Sequence, residues 1–234
     1  MVKEELIQRS PVRIFMNSIQ GGLKSGEMGL IASPSGIGKT SMLVQIALDK
    51  LLHGKKVIHI SFTRHTDYIL AWYEDIFNEF IKKKNLENPQ DVKNEIVKNR
   101  VLMRFTQEGL PIESILKSLK AMIGEGGFKA EYIIVDGLDF YAAGRERISK
   151  VKAFAEEMGV SVWYSCNVQG EEPLYDNRNI PLVISEYEEL FEVIIVMEPR
   201  QAYITLTISK DRDIYKPEQQ GLKLDPKTLL ILGN

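Results

Sequence analysis

The run Ser33-Pro34-Ser35-Gly36-Ile37-Gly38-Lys39-Thr40 places small residues, one cation and one hydroxyl at a spacing that suits a phosphate. Glycine lets such a loop curl until successive backbone N–H groups point inward, and the unsatisfied donors of a following helix strengthen the anion site. A lysine at this position reaches the β- and γ-phosphates of a nucleotide, and the adjacent hydroxyl is offered to Mg²⁺. The flanks agree, because Met28–Ala32 reads as an apolar strand and Ser41–Ala47 as the start of a helix. The predicted cradle is therefore Ser35, Gly36, Ile37, Gly38, Lys39, Thr40 and Ser41, with Lys39 also placed to act on the transferred phosphate. The run opens on Ser33, where glycine or alanine is usual.

Asp136 closes the apolar run Tyr132–Val135 about a hundred residues later. From there a carboxylate can hold Mg²⁺ opposite Thr40, directly or through water, although a strand-end aspartate can also be a turn residue. Asp139, three residues on, reads as a helix cap or a catalytic acid.

These groups need a parallel sheet to hold them. After the loop, a helix over 40–53 ends at Gly54, and Val57–Phe62 forms a second strand. Ile69, Trp72, Tyr73, Ile76, Phe77, Phe80 and Ile81 follow helical spacing over 66–84, an apolar face for the core, a subunit contact or a base-stacking platform. Further strands are expected at 100–105, 132–136 and 160–166, with helices starting near Pro111 and over 146–158. A hairpin is expected at 191–197 and 202–209, then two short strands around Asp225-Pro226. Strands and helices alternate first and strands cluster last, which predicts a three-layer α/β sheet, mostly parallel, with a C-terminal antiparallel extension. Residues 1–20 read as a lead-in, and 1–234 as one domain.

Composition narrows the function. A formal charge of −2 supplies no basic field for sequence-independent nucleic-acid binding. The loop Gln169–Ile180 carries Glu171, Glu172 and Asp176 against Arg178, whereas a loop that tracks phosphates gains lysine and arginine. Cys166 is the single cysteine, which suits a reducing cytoplasm, and no apolar run is long enough for a membrane span. His53, His59 and His65 lack the helical pairing of a zinc site and read as structural. Lys210 and Arg212 flank Asp211 on a late strand, so alternation puts both side chains on one face.

The order of Gly21-Gly22-Leu23-Lys24-Ser25-Gly26-Glu27, the loop at 33–40, Asp136 and Lys210-Asp211-Arg212 resembles the RecA-like P-loop ATPases, particularly the KaiC, RadA and DnaB-type branch. The resemblance spans residues 12–232 and implies a three-layer P-loop NTPase fold. It implies that one strand separates the loop strand from the strand ending at Asp136. It also implies ATP and Mg²⁺ as ligands, and a homo-oligomer with nucleotide between neighbouring subunits. Asn167 is matched to a polar γ-phosphate sensor, although a loop-capping asparagine fits the residue as well. Lys210 and Arg212 are matched to a pair that reaches a neighbour's γ-phosphate, against a solvated strand face. The glutamate that activates water is matched to Thr63, which has no usable base near neutral pH. Hydrolysis is then slow, unless the register differs or Asp67, Asp139 or His65 substitutes. The expected function is a nucleotide-dependent assembly or regulatory switch with an unidentified protein partner. The alternative is an oligomeric ATPase that works on nucleic acid.

Overall fold

The computed structural model describes residues 12–63, 65–82, 89–106, 111–172, 174–215 and 221–232. The first eleven residues of the lead-in expected over 1–20, and positions 83 and 84 of the helix expected over 66–84, lie outside them. In chain order the elements are α1 (Val12–Ser18), β1 (Met28–Ser33), α2 (Lys39–Leu52), β2 (Val57–Ser61), α3 (Thr66–Lys82), α4 (Pro89–Lys98), β3 (Arg100–Arg104) and α5 (Ile112–Ile123). There follow β4 (Tyr132–Asp136), α6 (Phe140–Met158), β5 (Ser161–Asn167), β6 (Val193–Pro199), β7 (Ile204–Asp211), β8 (Ile214–Tyr215), β9 (Lys223–Leu224) and β10 (Ile231–Leu232).

One sheet runs β10-β9-β7-β6-β1-β5-β4-β2-β3, with β8 paired to β7. Strands β6, β1, β5, β4, β2 and β3 are mutually parallel, and β7 through β10 add antiparallel pairs at one side. The chain is thus α/β with a mostly parallel central sheet and an antiparallel extension. One strand, β5, separates β1 from β4, the spacing that the resemblance implies.

The near-continuous apolar strands are explained by burial on both faces. Ile58, Leu30, Ile133, Val135, Val162 and Tyr164 point into a core roofed by α5 and α6. Ile31, Ile134, Trp163 and Ile195 point the other way, into a core with α1 to α4. Tyr73, Phe77 and Phe80 of α3 are buried in this second core, so most of the aromatic face is packing.

Three elements depart from the sequence reading. Val12–Ser18 is helical rather than lead-in, because Val12, Phe15, Met16 and Ile19 are buried against the sheet and α2; its seven residues are too few for periodicity to stand out. α6 begins at Phe140, six residues before the expected 146, with a break at Gly144 (φ 66°, ψ 168°) that splits its first turn from the rest. β8, two residues long, has no period to detect.

Gly29 faces Trp163 across the β1–β5 ladder. A Cβ at residue 29 would lie 2.6 Å from the fully buried indole, which itself packs against Phe15 at 6.1 Å between ring centroids. Gly29→Ala is expected to destabilise the fold by ~2 kcal/mol, a typical overpacking cost. Chemical denaturation of the two proteins measures it, and equal midpoints would contradict this packing.

Candidate functional site

β1 delivers the chain to Ser33 at the end of the sheet where the parallel strands finish, and the turn there feeds α2. Gly36 (φ +81°) and Gly38 (φ +103°) hold the left-handed backbone that a side chain would strain. α2 starts directly after Gly38 with no side-chain cap, which leaves its first-turn N–H groups for an outside acceptor. Ile37 packs against the α2-side core instead of lining the opening. Ser41 lines the opening, with its hydroxyl donating to Leu229 O at 3.0 Å.

Lys39 folds back over the loop. Its Nζ donates to Ser33 O (2.9 Å), Pro34 O (2.8 Å) and Ser33 Oγ (3.1 Å), and reaches Asn167 Oδ1 at 3.4 Å. Burial pushes the ammonium down to about 8, against the opposing pull of Cys166 and Asp136. Cys166 is pushed up to about 12 by burial and stays a thiol at neutral pH.

Thr40 Oγ1 donates to Asp136 Oδ2 at 2.8 Å, and Ser165 Oγ from the intervening strand β5 donates to Oδ1 at 2.5 Å. The hydroxyl and carboxylate picked out 96 residues apart in sequence therefore meet. An oxygen pair of this kind fits Mg²⁺, which prefers one or two protein oxygens and fills the rest of its octahedron with water and phosphate oxygens.

A cleft of ≈ 590 Å³ opens above these groups, within the range of small-molecule sites. It is lined by Ser35, Gly36, Gly38, Lys39, Thr40, Ser41, Asp136, Ser165 and Asn167, and by Thr63 just beyond β2. Thr63 packs on Gly137, where an added Cβ would lie 2.5 Å from its Oγ1. Among the described residues lining the cleft, the carboxylates are Asp136 and Asp139. Asp139 caps α6, accepting from Tyr141 N at 2.9 Å, which is the capping role of its two alternatives. Asp67 and His65 do not line the cleft.

Asn167 also donates through Nδ2 to Gln169 Oε1 at 3.3 Å. The Tyr141 hydroxyl donates to Gln169 O at 2.6 Å and accepts from Gln169 N at 3.0 Å. Tyr68, Trp72, Tyr141, Gln169 and Leu229 complete the walls. The sequence reading missed all five as site residues, since they come from α3, α6, the loop after β5 and the C-terminal turn and only folding brings them together. Leu229 is held there by its carbonyl, which also accepts from Gln45 Nε2 of α2 at 2.7 Å.

Lys210 and Arg212 lie elsewhere in this chain. Lys210 pairs with Ile194 and Asp211 with Val193, itself level with Gly29 near the start of β1, so both sit at the end of the sheet opposite the glycine loop. Lys210 is buried and donates to Glu188 O at 2.9 Å. Arg212 has left β7 in a left-handed turn (φ 57°) and binds both Glu27 oxygens (2.8 and 3.1 Å) and Gly22 O (3.1 Å). The expectation that the two cations share one strand face is corrected, because the strand ends at Asp211. Instead Arg212 fastens the Gly21–Glu27 turn to β7. In the 169–180 loop, Arg178 is paired with Asp176 and Glu188.

The site and fold together define an α/β protein with a glycine-rich loop and an uncapped helix N-terminus at the end of a parallel sheet, and a hydroxyl–carboxylate pair beside them. No family model matches the chain. A 45-residue stretch, 19% of this chain, is 47% identical to the DNA repair protein RadA of Aquifex aeolicus (strain VF5). That stretch is 10% of the RadA chain. Among the described residues no helix is long and apolar enough to cross a membrane.

Proposed function

We propose that the cleft binds Mg-ATP and that the chain is a RecA-like P-loop protein, folded as one domain and assembling with copies of itself, in which nucleotide occupancy acts as a switch and turnover is slow. The observation that carries this reading is the 2.8 Å contact between Thr40 and Asp136, set beside Lys39 and an uncapped helix N-terminus. The first-turn N–H groups of α2 and Lys39 hold the phosphates, and Lys39 exchanges its loop carbonyls for phosphate oxygens. Thr40 and Asp136 hold Mg²⁺, which when bound neutralises phosphate charge. Asn167, already at Lys39, adds a hydrogen-bonding group toward the terminal phosphate.

Slow turnover is argued from what stands around that phosphate. Thr63 cannot take a proton from water, Asp139 is committed to its helix, and Asp136 is assigned to the metal. Lys210 and Arg212 are engaged within their own chain, so a role at a neighbour's nucleotide would need them to exchange those partners. Calorimetric titration with Mg-ATP, together with steady-state phosphate release, tests the reading. Micromolar binding with almost no turnover is expected, and absence of binding would overturn it.

The similarity to a DNA repair protein favours the second reading, a motor on nucleic acid. Against it stand the acidic 169–180 loop and its paired Arg178. Strong stimulation of phosphate release by single-stranded DNA would select the motor. Thr63→Glu places a carboxylate at the cleft wall and is expected to raise phosphate release ~10-fold or more. An unchanged rate with intact ATP binding would remove Thr63 from the water-activating position.

A further inference from the structure

Gln45 sits in the second turn of α2, just beyond the glycine loop, and is fully buried. Both ends of its amide are spent on the C-terminal turn: Nε2 donates to Leu229 O at 2.7 Å, and Oε1 accepts from Ile231 N at 3.2 Å. Only this orientation of the amide matches both partners, a carbonyl and an N–H. Ser41 Oγ adds a second donor to the same Leu229 carbonyl at 3.0 Å. The residue held in this way is itself strained. Leu229 has φ 54°, a left-handed backbone that disfavours a bulky side chain.

The turn is also closed from within, since Leu229 N donates to Asp225 O at 2.7 Å and the Asp225 carboxylate accepts from Lys227 N (2.9 Å) and Thr228 Oγ1 (3.0 Å). Its half-buried leucine side chain lies against the glycine loop: a Cβ added at Gly38 would be 3.4 Å from Leu229 Cδ2. Leu229 lines the cleft, and Leu229 and Trp72 also line the groove that adjoins it along α3. A bulky residue kept in a costly conformation by several bonds at once points to a use for its position. That use is not to hold phosphate, because hydrocarbon offers nothing to phosphate oxygens and the Leu229 carbonyl already accepts two donors. What Leu229 can do is bury the uncharged half of a ligand whose phosphates lie on the neighbouring loop.

We propose, on the nucleotide reading of the cleft given above, that Leu229 is the apolar wall for the sugar-and-base half of the nucleotide and that Gln45 is a positioning residue, which acts by holding that wall in place. Leu229 thereby favours nucleoside phosphates over inorganic ones.

Calorimetric titration of the full chain with Mg-ATP and with magnesium tripolyphosphate tests it. The parent is expected to bind ATP at least ~10-fold more tightly than tripolyphosphate. Leu229→Gly should weaken ATP about 10-fold, the equivalent of roughly 55 Å² of apolar surface returned to water, and leave tripolyphosphate within about twofold. Leu229→Met should keep most of the ATP affinity. Gln45→Met should show the same selective loss, and the double variant should bind ATP no more weakly than Leu229→Gly alone, because Gln45 acts through Leu229. Unchanged ATP affinity in Leu229→Gly, equal losses for both ligands, or additive losses in the double variant would overturn the proposal. A parent that binds both ligands equally would overturn it while leaving the phosphate cradle standing, whereas a parent that binds neither would remove the nucleotide reading as well. If Gln45→Met does not fold, Gln45→Leu carries the same comparison.

Discussion

Lys39→Ala is expected to weaken Mg-ATP binding by ~100-fold or more. In the structure the ammonium already gathers Ser33 O, Pro34 O, Ser33 Oγ and Asn167 Oδ1, a ring of oxygens that phosphate oxygens can replace without moving the lysine far. A charge-assisted hydrogen bond contributes about 1.5–3 kcal/mol, so contacts to two phosphates amount to roughly 3–6 kcal/mol, or at least two decades in Kd. The substitution should leave folding nearly intact, because Ser33 O still accepts from Val168 N and Pro34 O from Ser33 Oγ when the ammonium is gone. Melting curves of the two proteins separate loss of binding from loss of structure. A variant that melts like the parent and binds ATP as tightly would sink the phosphate role of the loop. Because burial holds this lysine near 8, affinity should also fall as pH rises from 7 to 9.

Acid should destabilise the fold through His59 by up to ~3 kcal/mol. His59 lies on β2, with Nδ1 3.1 Å from the Tyr73 hydroxyl and Nε2 buried without a partner. Burial pushes its pKa down to about 4; the Asp136 carboxylate opposes that shift and Arg100 adds to it. The unfolded chain takes up the proton near 6.5 and the folded one only near 4. Stability is therefore fully present above about 6.5, falls as pH drops through that window, and levels off below about 4. At 1.36 kcal/mol for each pH unit, the interval between 6.5 and about 4 sets the ~3 kcal/mol ceiling. Urea unfolding at intervals from pH 7.5 to 4 measures the slope, and His59→Gln should flatten it. An NMR titration that finds the His59 ring protonating near 6.5 in the folded protein would contradict the burial argument. His53 Nδ1 lies 2.6 Å from Asp49 O at the end of α2.

Much of the architecture was legible because it is written locally. The strand at 132–136 was read to the residue, since a run buried on both faces carries its own signature and ends where the acid appears. The helix at 39–52 and the hairpin strands were read to within two residues, because apolar period and turn residues mark them. α1 was not legible, since seven residues give too little periodicity and their burial depends on Trp163 and α2 from far along the chain. Lys210 and Arg212 were misplaced on one face because alternation holds only while the strand continues, and the turn at Arg212 is set by its bonds to Glu27 and Gly22.

What the order of residues determined by itself was the chemistry on offer: a glycine loop that can curl, a lysine and threonine after it, and an acid closing a buried strand. Those are short-range facts, because backbone freedom and side-chain type belong to single positions. The tertiary structure alone decided which of these groups meet. It put β5 between β1 and β4, so that Ser165 orients the acid that Thr40 touches, and it turned Ser41 toward Leu229. It also brought Tyr68, Trp72 and Tyr141 to one cleft. Each of those outcomes joins residues tens of positions or more apart, and only the packing of helices on both faces of one sheet selects them.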